Sequence, residues 1–394
     1  MSLDRTAVAA PLSDDAALAL ADAPVESLPA LMRSARAVRD AAWGRRITFS
    51  PKVFLPITNL CKNHCSYCAF RRSPGQPGEW TMTPEDVRAW SARAVDAGCF
   101  EALLCLGDKP EASFPTYRAL LGAWRFDGTV DYLVEAARIA LALGLLPHTN
   151  AGLLTRDDMA RLKPVNVSLG LMLESASGRL CEPGMPHHHA PDKHPDARLR
   201  MIDEAGQLAI PFTTGILVGV GETRRERVEA LLAIRALHRR HGHVQEVIVQ
   251  NFRATSGTSM RRSPEPDDVE IAHAVAMARL VLDPEVSLQA PPNLNADGVE
   301  TLLAAGVNDL GGISPVSPDY VNPRHPWPHL DRLAAACARD GYTLAPRLAI
   351  YDRYVHRAGF LDAALAGPTA AAASRLERLA RAREVATPAP AGAA

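Results

Sequence analysis

The 394 residues are 47% hydrophobic and 22% charged, which gives enough apolar sequence for one large α/β barrel or two ordinary domains and indicates a globular protein. Lys and Arg total 43 against 44 Asp and Glu, for a formal net charge of −1, and no block of like charges interrupts this balance. The balance argues against binding to nucleic acid or to an anionic membrane. We therefore expect small molecules as ligands.

The first residues and the cysteines indicate a reducing compartment. The start, MSLDRTAVAAPLSDDAALAL, has acidic residues where a secretory signal needs basic ones, and no later stretch is apolar for the length of a membrane span. Three of the seven cysteines lie within eight residues of one another, and the other four are scattered: Cys99, Cys105, Cys181 and Cys337. Because this pattern does not suit a disulfide framework, we expect a cytoplasmic protein with a local metal site.

Short apolar runs alternate along the chain with longer amphipathic stretches, which is typical of βα units repeated around a parallel sheet. Residues 1–45 are predicted to form a loose extension with helical pattern at Ala16–Leu20 and Leu28–Trp43. The predicted strands are Val53–Thr58, Ala102–Leu106, Leu145–Thr149, Val165–Leu173, Phe212–Val218, Glu246–Asn251, Val286–Ala290 and Val307–Ile313. The helices predicted between them include Pro84–Ala97, Val130–Leu143, Arg198–Leu208, Arg224–His241 and Asp267–Leu282.

Eight such strands predict a TIM-like (βα) barrel, full or partial, over residues 46–355, with a C-terminal helix and a disordered Ala/Pro tail at 356–394. Polar residues follow each predicted strand, and in a parallel barrel these positions surround the active site. In chain order they are Thr58-Asn59, 107–111, 150–152, Glu174-Ser175, 219–222, 251–253, 292–295 and Ser314-Pro315. We predict that these groups converge on one mouth at the C-terminal ends of the strands.

The segment after the first strand carries Cys61, Cys65 and Cys68 with the spacing C-x3-C-x2-C. Three thiolates on one loop can bind three irons of a [4Fe–4S] cubane and leave the fourth iron without a protein ligand. An open iron permits direct coordination of a substrate or cofactor, whereas electron-carrying clusters usually have four cysteine ligands. On spacing alone, the alternatives are a zinc site of the Cys3His kind that uses His64, or three free thiols.

The same segment resembles the radical S-adenosylmethionine (SAM) superfamily, whose signature C-x3-C-x-aromatic-C is matched by the three cysteines and Tyr67. The resemblance implies that SAM chelates the open iron and that one electron splits it into methionine and a 5′-deoxyadenosyl radical. It also implies cofactor-binding roles for Tyr67, Gly107, Asp108, Glu174, Gly219, Gly221 and Glu222. Taken singly, a glycine-rich strand end is also typical of a tight turn, and Glu222 could equally cap the next helix.

From about Phe54 to Tyr351 the chain resembles the CofG-type subunit of deazaflavin (FO) synthase, in segments such as LPITNLCKNHCSYCAFRR, EALLCLGDKPE, PHTNAGLLT, GMPHHHAPDKHP and NDLGGISPVSPDYVNPRHPWPH. The resemblance implies a carbon–nitrogen lyase of coenzyme F420 biosynthesis. Its substrate would be 5-amino-5-(4-hydroxybenzyl)-6-(D-ribitylimino)-5,6-dihydrouracil, its products FO and ammonia. The implied partners are the CofH-type enzyme that makes this adduct and an electron donor such as ferredoxin or flavodoxin. With one cysteine motif, the chain should perform one half of the synthesis.

The implied substrate carries a uracil, a ribityl chain and a phenol, so the pocket needs hydrogen-bonding groups in mostly dry surroundings. The strand-end candidates are Asn150, Gln250, Asn251, Arg253, Asn293 and Asn295, although an asparagine after a strand is also a common turn residue. In the histidine run 187–189, His187 and His188 are candidates for acid–base catalysis of ammonia loss, and a second metal site is the alternative.

Two other classes of function are also consistent with the sequence. One is a different radical SAM enzyme, either the CofH-type partner half or an enzyme of the menaquinone or biotin pathways. The other is a protein without catalysis, such as an iron–sulfur electron carrier or a zinc protein. Anaerobic iron loading and release of 5′-deoxyadenosine separate this second class from the enzymes.

Cys65→Ala is expected to abolish cluster binding and SAM cleavage while the barrel still folds, because the motif is predicted on a loop and not in the core. Iron content and 5′-deoxyadenosine release measure the first two effects, and circular dichroism measures the third. Cys181→Ala, which removes a scattered cysteine, is the control and should retain iron. An active Cys65→Ala protein would rule out the cluster assignment.

Overall fold

In a computed structural model, which describes residues 10–386, eight parallel strands form a closed barrel and a ninth strand joins one of them. The strands are Arg46–Thr58 (β1), Glu101–Leu106 (β2), Leu146–Asn150 (β3), Ser168–Gly170 (β4), Phe212–Val218 (β5), Val244–Asn251 (β6), Ser287–Gln289 (β7), Asp309–Ile313 (β8) and Thr343–Pro346 (β9). Their order is β2-β3-β4-β5-β6-β7-β8-β1-β9, and a further pairing of β1 with β2 closes the ring. The predicted TIM-like barrel is confirmed and all eight predicted strands are present, but the strand predicted at Val165–Leu173 is only three residues long, because Val165 belongs to a 3-10 turn that precedes it.

Capping signals in the sequence begin several of the helices that cover the barrel. Thr83, Thr155 and Thr223 are N-cap residues, each with a carboxylate three positions later that completes a capping box. The helices are Asp14–Ala21 (α1), Leu28–Trp43 (α2), Pro84–Asp96 (α3), Pro110–Ser113 (α4), Pro115–Ala123 (α5), Thr129–Ala142 (α6), Arg156–Leu162 (α7), Pro195–Gln207 (α8), Arg224–His241 (α9), Asp268–Val281 (α10), Val299–Ala304 (α11), Leu330–Arg339 (α12), Asp352–Val355 (α13) and Ala363–Ala386 (α14). Every helix predicted above forms, with its ends shifted by at most three residues. No helix within residues 10–386 is both long and apolar enough to cross a bilayer.

Strand β1 is longer than predicted because it pairs on both sides along different parts of its length. Its first residues pair with β9 and β8, and the residues from Lys52 onward pair with β2. The prediction began at Val53 and missed this first part. It also missed β9, whose residues are exposed or half-buried and end in Pro346, so that no apolar run marks it. The cysteine loop that follows Thr58 therefore begins from a strand fixed by three neighbours.

Both ends of the described chain pack against the barrel. Helices α1 and α2 contribute Ala17, Leu31 and Ala35 to the main core. At the other end, the segment 348–372 packs against the residues that begin β2, β3 and β4, and so covers the N-terminal end of the barrel. The predicted Ala/Pro tail falls on residues 387–394, which lie outside the described residues.

Arg39, whose side chain is fully buried, attaches α2 to the barrel. Its guanidinium donates to the carbonyl oxygens of Leu303, at 3.2 Å, and Val307, and to the hydroxyl of Tyr342. It also pairs with the carboxylate of Asp40 at 2.6 Å. These bonds join the N-terminal helices to the loops around β8 and β9.

Arg39→Met keeps the apolar stem but removes the guanidinium that donates to the buried carbonyl of Val307, to the carbonyl of Leu303 and to Tyr342, so we expect the free energy of unfolding to fall by about 3 kcal/mol. Thermal or urea unfolding measures the change. Arg33→Met, on the exposed face of the same helix, is the matched control and should shift stability by less than about 0.5 kcal/mol. Equal midpoints for the two variants would contradict the proposed attachment.

Candidate active site

A cavity of ≈ 370 Å³ enters the barrel at the C-terminal ends of the strands, a size within the range of small-ligand pockets. Ten residues named from the sequence line it: Cys61, Cys65, Tyr67, Cys68, Gly107, Asp108, Asn150, Glu174, Gln250 and Asn293. They come from the ends of β1, β2, β3, β6 and β7 and from the loop after β4. The parallel arrangement brings these distant segments to one mouth.

The first cysteine is held against the end of β2. The backbone N–H of Asp108 donates to Cys61 Sγ at 3.2 Å, and the N–H of Lys62 donates to the carbonyl of Asp108 at 3.2 Å. This close approach requires glycine at position 107, because a Cβ there would stand 2.3 Å from the Cβ of Cys61. Gly107 therefore fixes where the thiol can lie.

The far side of the cysteine loop is held by the histidine-run segment. The N–H of His64 donates to the carbonyl of His189 at 2.8 Å, and the N–H of Ser66 donates to that of Pro186 at 2.9 Å. The His64 imidazole lies 2.7 Å from the Arg71 guanidinium. Within residues 10–386, no group of three or more His, Cys, Asp or Glu side chains is placed to hold a single metal ion.

Two of the three thiols, those of Cys61 and Cys65, lie in an environment that opposes their ionisation without a bound cation. Burial raises the pKa of Cys61, and it raises that of Cys65 to about 12. The nearby charges of Lys193, beside Cys65, and Arg71, close to all three sulfurs, favour thiolate. A metal that binds these sulfurs would replace their protons, and its positive charge would offset the cost of burying the thiolates.

Glu174 joins three side chains on the opposite wall. Its carboxylate accepts from the hydroxyl of Tyr67 and pairs with Lys193, and His187 Nε2 lies 3.2 Å away. Burial by itself raises the pKa of Glu174, but Lys193, His187 and Arg198 together hold it well below its usual range. Its backbone φ of +66° is unusual for a residue other than glycine. The surrounding bonds thus fix an ionised carboxylate at the cavity wall.

A second carboxylate, Asp108, is fixed by neighbours from other loops. Asn63 Nδ2 donates to it at 3.1 Å, the N–H of Leu153 donates to its other oxygen, and the Arg198 guanidinium lies 3.7 Å away. Burial raises the pKa of Asp108, while Arg198 lowers it. This network ties the cysteine loop to the loop after β3 and to α8.

Six other residues named from the sequence do not line the cavity. Glu222 accepts from the N–H groups of Gly219 and Val220, both at 2.8 Å, and pairs with Arg227, so it fixes the turn after β5. Gly219 and Gly221 have φ of +97° and +109°, which suits this turn. The remaining three, Asn251, Arg253 and Asn295, bond to the loop 291–295 or to one another and hold its shape.

The two histidines proposed as catalysts lie in different surroundings. His187 is buried, with Nε2 3.0 Å from the Tyr67 hydroxyl, but it stands behind Tyr67 and not on the cavity wall. His188 is exposed and also does not line the cavity. A proton from His187 can therefore reach the cavity only through Tyr67 or Glu174.

Sequence reasoning missed the deep part of the cavity. Its lining includes Lys52, Glu101, His148, Thr213, Glu246, Gln289 and Arg347. These residues lie on the strands themselves or, for Arg347, just after β9, and not in the loops that follow the strands. Alternation along β6, where Glu246, Ile248 and Gln250 all face inward, is a sequence signal that could have found one of them.

Comparison with known proteins identifies close relatives. Residues 55–234 match the radical SAM superfamily. The chain is 45% identical over 386 residues to FO synthase of Mycobacterium tuberculosis (strain ATCC 25618 / H37Rv), covering 93% of this chain and 45% of that protein. It is 45% identical over 312 residues to 7,8-didemethyl-8-hydroxy-5-deazariboflavin synthase of Methanopyrus kandleri, covering 79% of this chain and 93% of that protein. The chain thus spans less than half the length of the FO synthases that it matches.

Two solved structures share the fold. Methylornithine synthase (PylB) superposes with a TM-score of 0.66 at 20% identity, over 85% of this chain and 95% of that one. The hydrogenase maturase HydG from Carboxydothermus hydrogenoformans gives 0.67 at 22% identity, over 85% and 76%. At this level of identity the likeness shows the barrel architecture.

Gly107→Ala is expected to displace Cys61 and weaken metal binding by about 10-fold or more, because the added methyl group occupies the position of the cysteine side chain. Iron retained per chain in competition with a chelator measures the loss. Gly122→Ala is the matched control, since nothing lies within 4 Å of the methyl group it adds on α5. Equal iron retention in both variants would contradict the requirement for glycine at position 107.

Proposed function

Because the chain belongs to the 7,8-didemethyl-8-hydroxy-5-deazariboflavin synthase family of radical SAM enzymes, we propose that it forms FO from the tyrosine-derived ribityl-uracil adduct with loss of ammonia. The observation that carries this proposal is the 45% identity to the Methanopyrus kandleri enzyme over 93% of its length. Family membership implies SAM and a [4Fe–4S] cluster as cofactors. The reaction would take place in the cavity at the C-terminal ends of the strands.

Cys61, Cys65 and Cys68 are the proposed ligands of the cluster. Support comes from their free thiols, which line one cavity, because a cubane takes one thiolate on each iron. Arg71 and Lys193 are placed to offset the negative charge of such a group. When bound, the reduced cluster and SAM supply a 5′-deoxyadenosyl radical that removes a hydrogen atom from the substrate.

Tyr67, Gly107, Asp108 and Glu174 are the proposed contacts to SAM, since all four line the cavity beside the cysteines. The ionised carboxylate of Glu174 is suited to accept hydrogen bonds from hydroxyl groups. We assign the turn 219–222, with Gly219, Gly221 and Glu222, an indirect role. Its Val220 packs in one apolar cluster with Tyr67, so the turn supports the tyrosine from behind.

Ammonia loss requires a group that moves a proton at the substrate nitrogen. Lys193 and Tyr67 line the cavity, and Tyr67 lies within hydrogen-bonding distance of His187. We therefore assign His187 the role of a positioning residue that orients the Tyr67 hydroxyl. His188, which is exposed, has no place in this step. Asn150, Gln250 and Asn293 remain the proposed substrate contacts near the mouth.

One observation favours the ring-closing half over the CofH-type half. The Methanopyrus kandleri relative is named as the synthase of the deazaflavin product, and this chain covers 93% of its length. The single C-x3-C-x2-C motif, in a chain that covers 45% of the longer FO synthases, supports a role in one half of the synthesis. The CofH-type enzyme, which supplies the adduct, and a one-electron donor are the proposed partners.

The reduced, cluster-loaded protein with SAM is expected to convert the synthetic adduct into a product with deazaflavin fluorescence and to release ammonia and 5′-deoxyadenosine. A parallel reaction with tyrosine and 5-amino-6-(D-ribitylamino)uracil should form no adduct. Adduct formation in that reaction, with no fluorescence in the first, would instead identify the partner half. The Cys65→Ala protein controls for chemistry that does not depend on the cluster.

A further inference from the structure

The deep end of the cavity has a polar floor, formed by Lys52, Glu101, His148, Thr213, Glu246 and Gln289. Lys52 stands six residues before the end of β1 at Thr58, roughly 20 Å of strand below the rim that carries the cysteines. Between floor and rim the inward-facing residues are apolar: Phe54, Leu103, Ile248 and Leu310. A ligand that reaches the floor must therefore pass this middle section of the cavity, which we call the apolar waist.

The charges of the floor are paired with one another. Lys52 Nζ lies 2.8 Å from Glu101 Oε1, and Arg347, which follows β9, bonds to both Glu246 and Asp309. Burial raises the pKa of Glu246 to about 7, which reduces the negative charge of the floor near neutral pH. No cation of the floor is left over to bind an anionic group, because Lys52 and Arg347 each already have a carboxylate partner.

Hydrogen-bonding capacity, in contrast, is left over. Among the described residues, the amide of Gln289 has no side-chain partner, and His148 bonds through Nδ1 to Ser168 at 2.6 Å and leaves Nε2 free. Burial lowers the pKa of His148 to about 4, so its ring is neutral at pH 7. Thr213 makes one long contact of 3.3 Å to Glu246. Such groups in a dry cavity cost free energy unless a ligand or water bonds to them.

We propose that this floor binds the ribityl chain of the substrate, an uncharged polyol whose hydroxyl groups bond to Gln289, His148 and Thr213. The assignment rests on the proposed function. The ribityl chain is the same in adduct and product, so no part of it needs to approach the cysteines. The flat ring system would then lie in the apolar waist, with its reacting part toward the rim.

The test compares two ligands, the adduct and the same adduct with a methyl group in place of the ribityl chain. Anaerobic calorimetry with the cluster-loaded protein gives a Kd for each, and their ratio isolates the contribution of the chain. For the unaltered protein we expect the adduct to bind about 100-fold more tightly, as several hydrogen bonds of ordinary strength would give. Activity is not needed for this readout.

Thr213→Val should lower the ratio about 5-fold by weakening the adduct alone, and Gln289→Leu should do the same from β7. Thr214→Val is the matched control. It makes the same substitution one residue along β5, where the hydroxyl accepts from the N–H of Leu173 and faces away from the cavity. Its ratio should equal that of the unaltered protein.

The outcomes separate the two claims. If the unaltered protein neither binds nor converts the adduct, the proposed function fails. If it forms FO but the ratio stays the same in Thr213→Val and Gln289→Leu, or both ligands weaken equally, the floor is a structural charge network and the ribityl assignment is wrong. A lower ratio confined to the two floor variants supports it.

Discussion

The contact between Cys61 and the end of β2 determines how the rest of the site is arranged. An amide N–H reaches the sulfur at 3.2 Å only because residue 107 has no side chain, and the pairing of β1 with β2 sets the distance between the two strand ends. The carboxylate of Asp108 then extends this link to Asn63, Leu153 and α8. The cysteine loop thus takes its position from the paired ends of β1 and β2.

The charged side chains are arranged differently at the rim and at the floor of the cavity. At the rim, cations stand beside buried thiols and beside the Glu174 carboxylate, which suits a group that carries negative charge. At the floor, each cation is already matched by a carboxylate from a neighbouring strand or segment. The two ends of one cavity therefore favour different chemistry: an anionic metal centre above and an uncharged polar chain below.

The sequence was most informative where periodicity and capping agree. Helix α9 was predicted to the residue, because Thr223 caps it and its apolar spacing is regular. The floor was missed because Glu246 and His148 lie on strands and not in the loops after them, and only the closed barrel shows which strand residues face one another. A polar residue after a strand can shape a loop or contact a ligand, and the sequence does not separate the two: Glu222 bonds within its own turn, and Asn251 bonds to the loop after β7.

The two ends of the cavity are supplied in part by different segments of the chain. Residues 55–234, which match the superfamily, contain the cysteine loop, Asp108 and Glu174, the groups that we propose to contact the cofactors. Glu246 and Gln289, on β6 and β7, and Arg347, after β9, come from later in the chain and reach the cavity at its deep end. Arg347 can do so because β9 pairs with the first residues of β1 and the segment after it covers the end of the barrel. If the floor binds the ribityl chain as proposed, residues that recognise the substrate come in part from strands beyond the region matched to the superfamily.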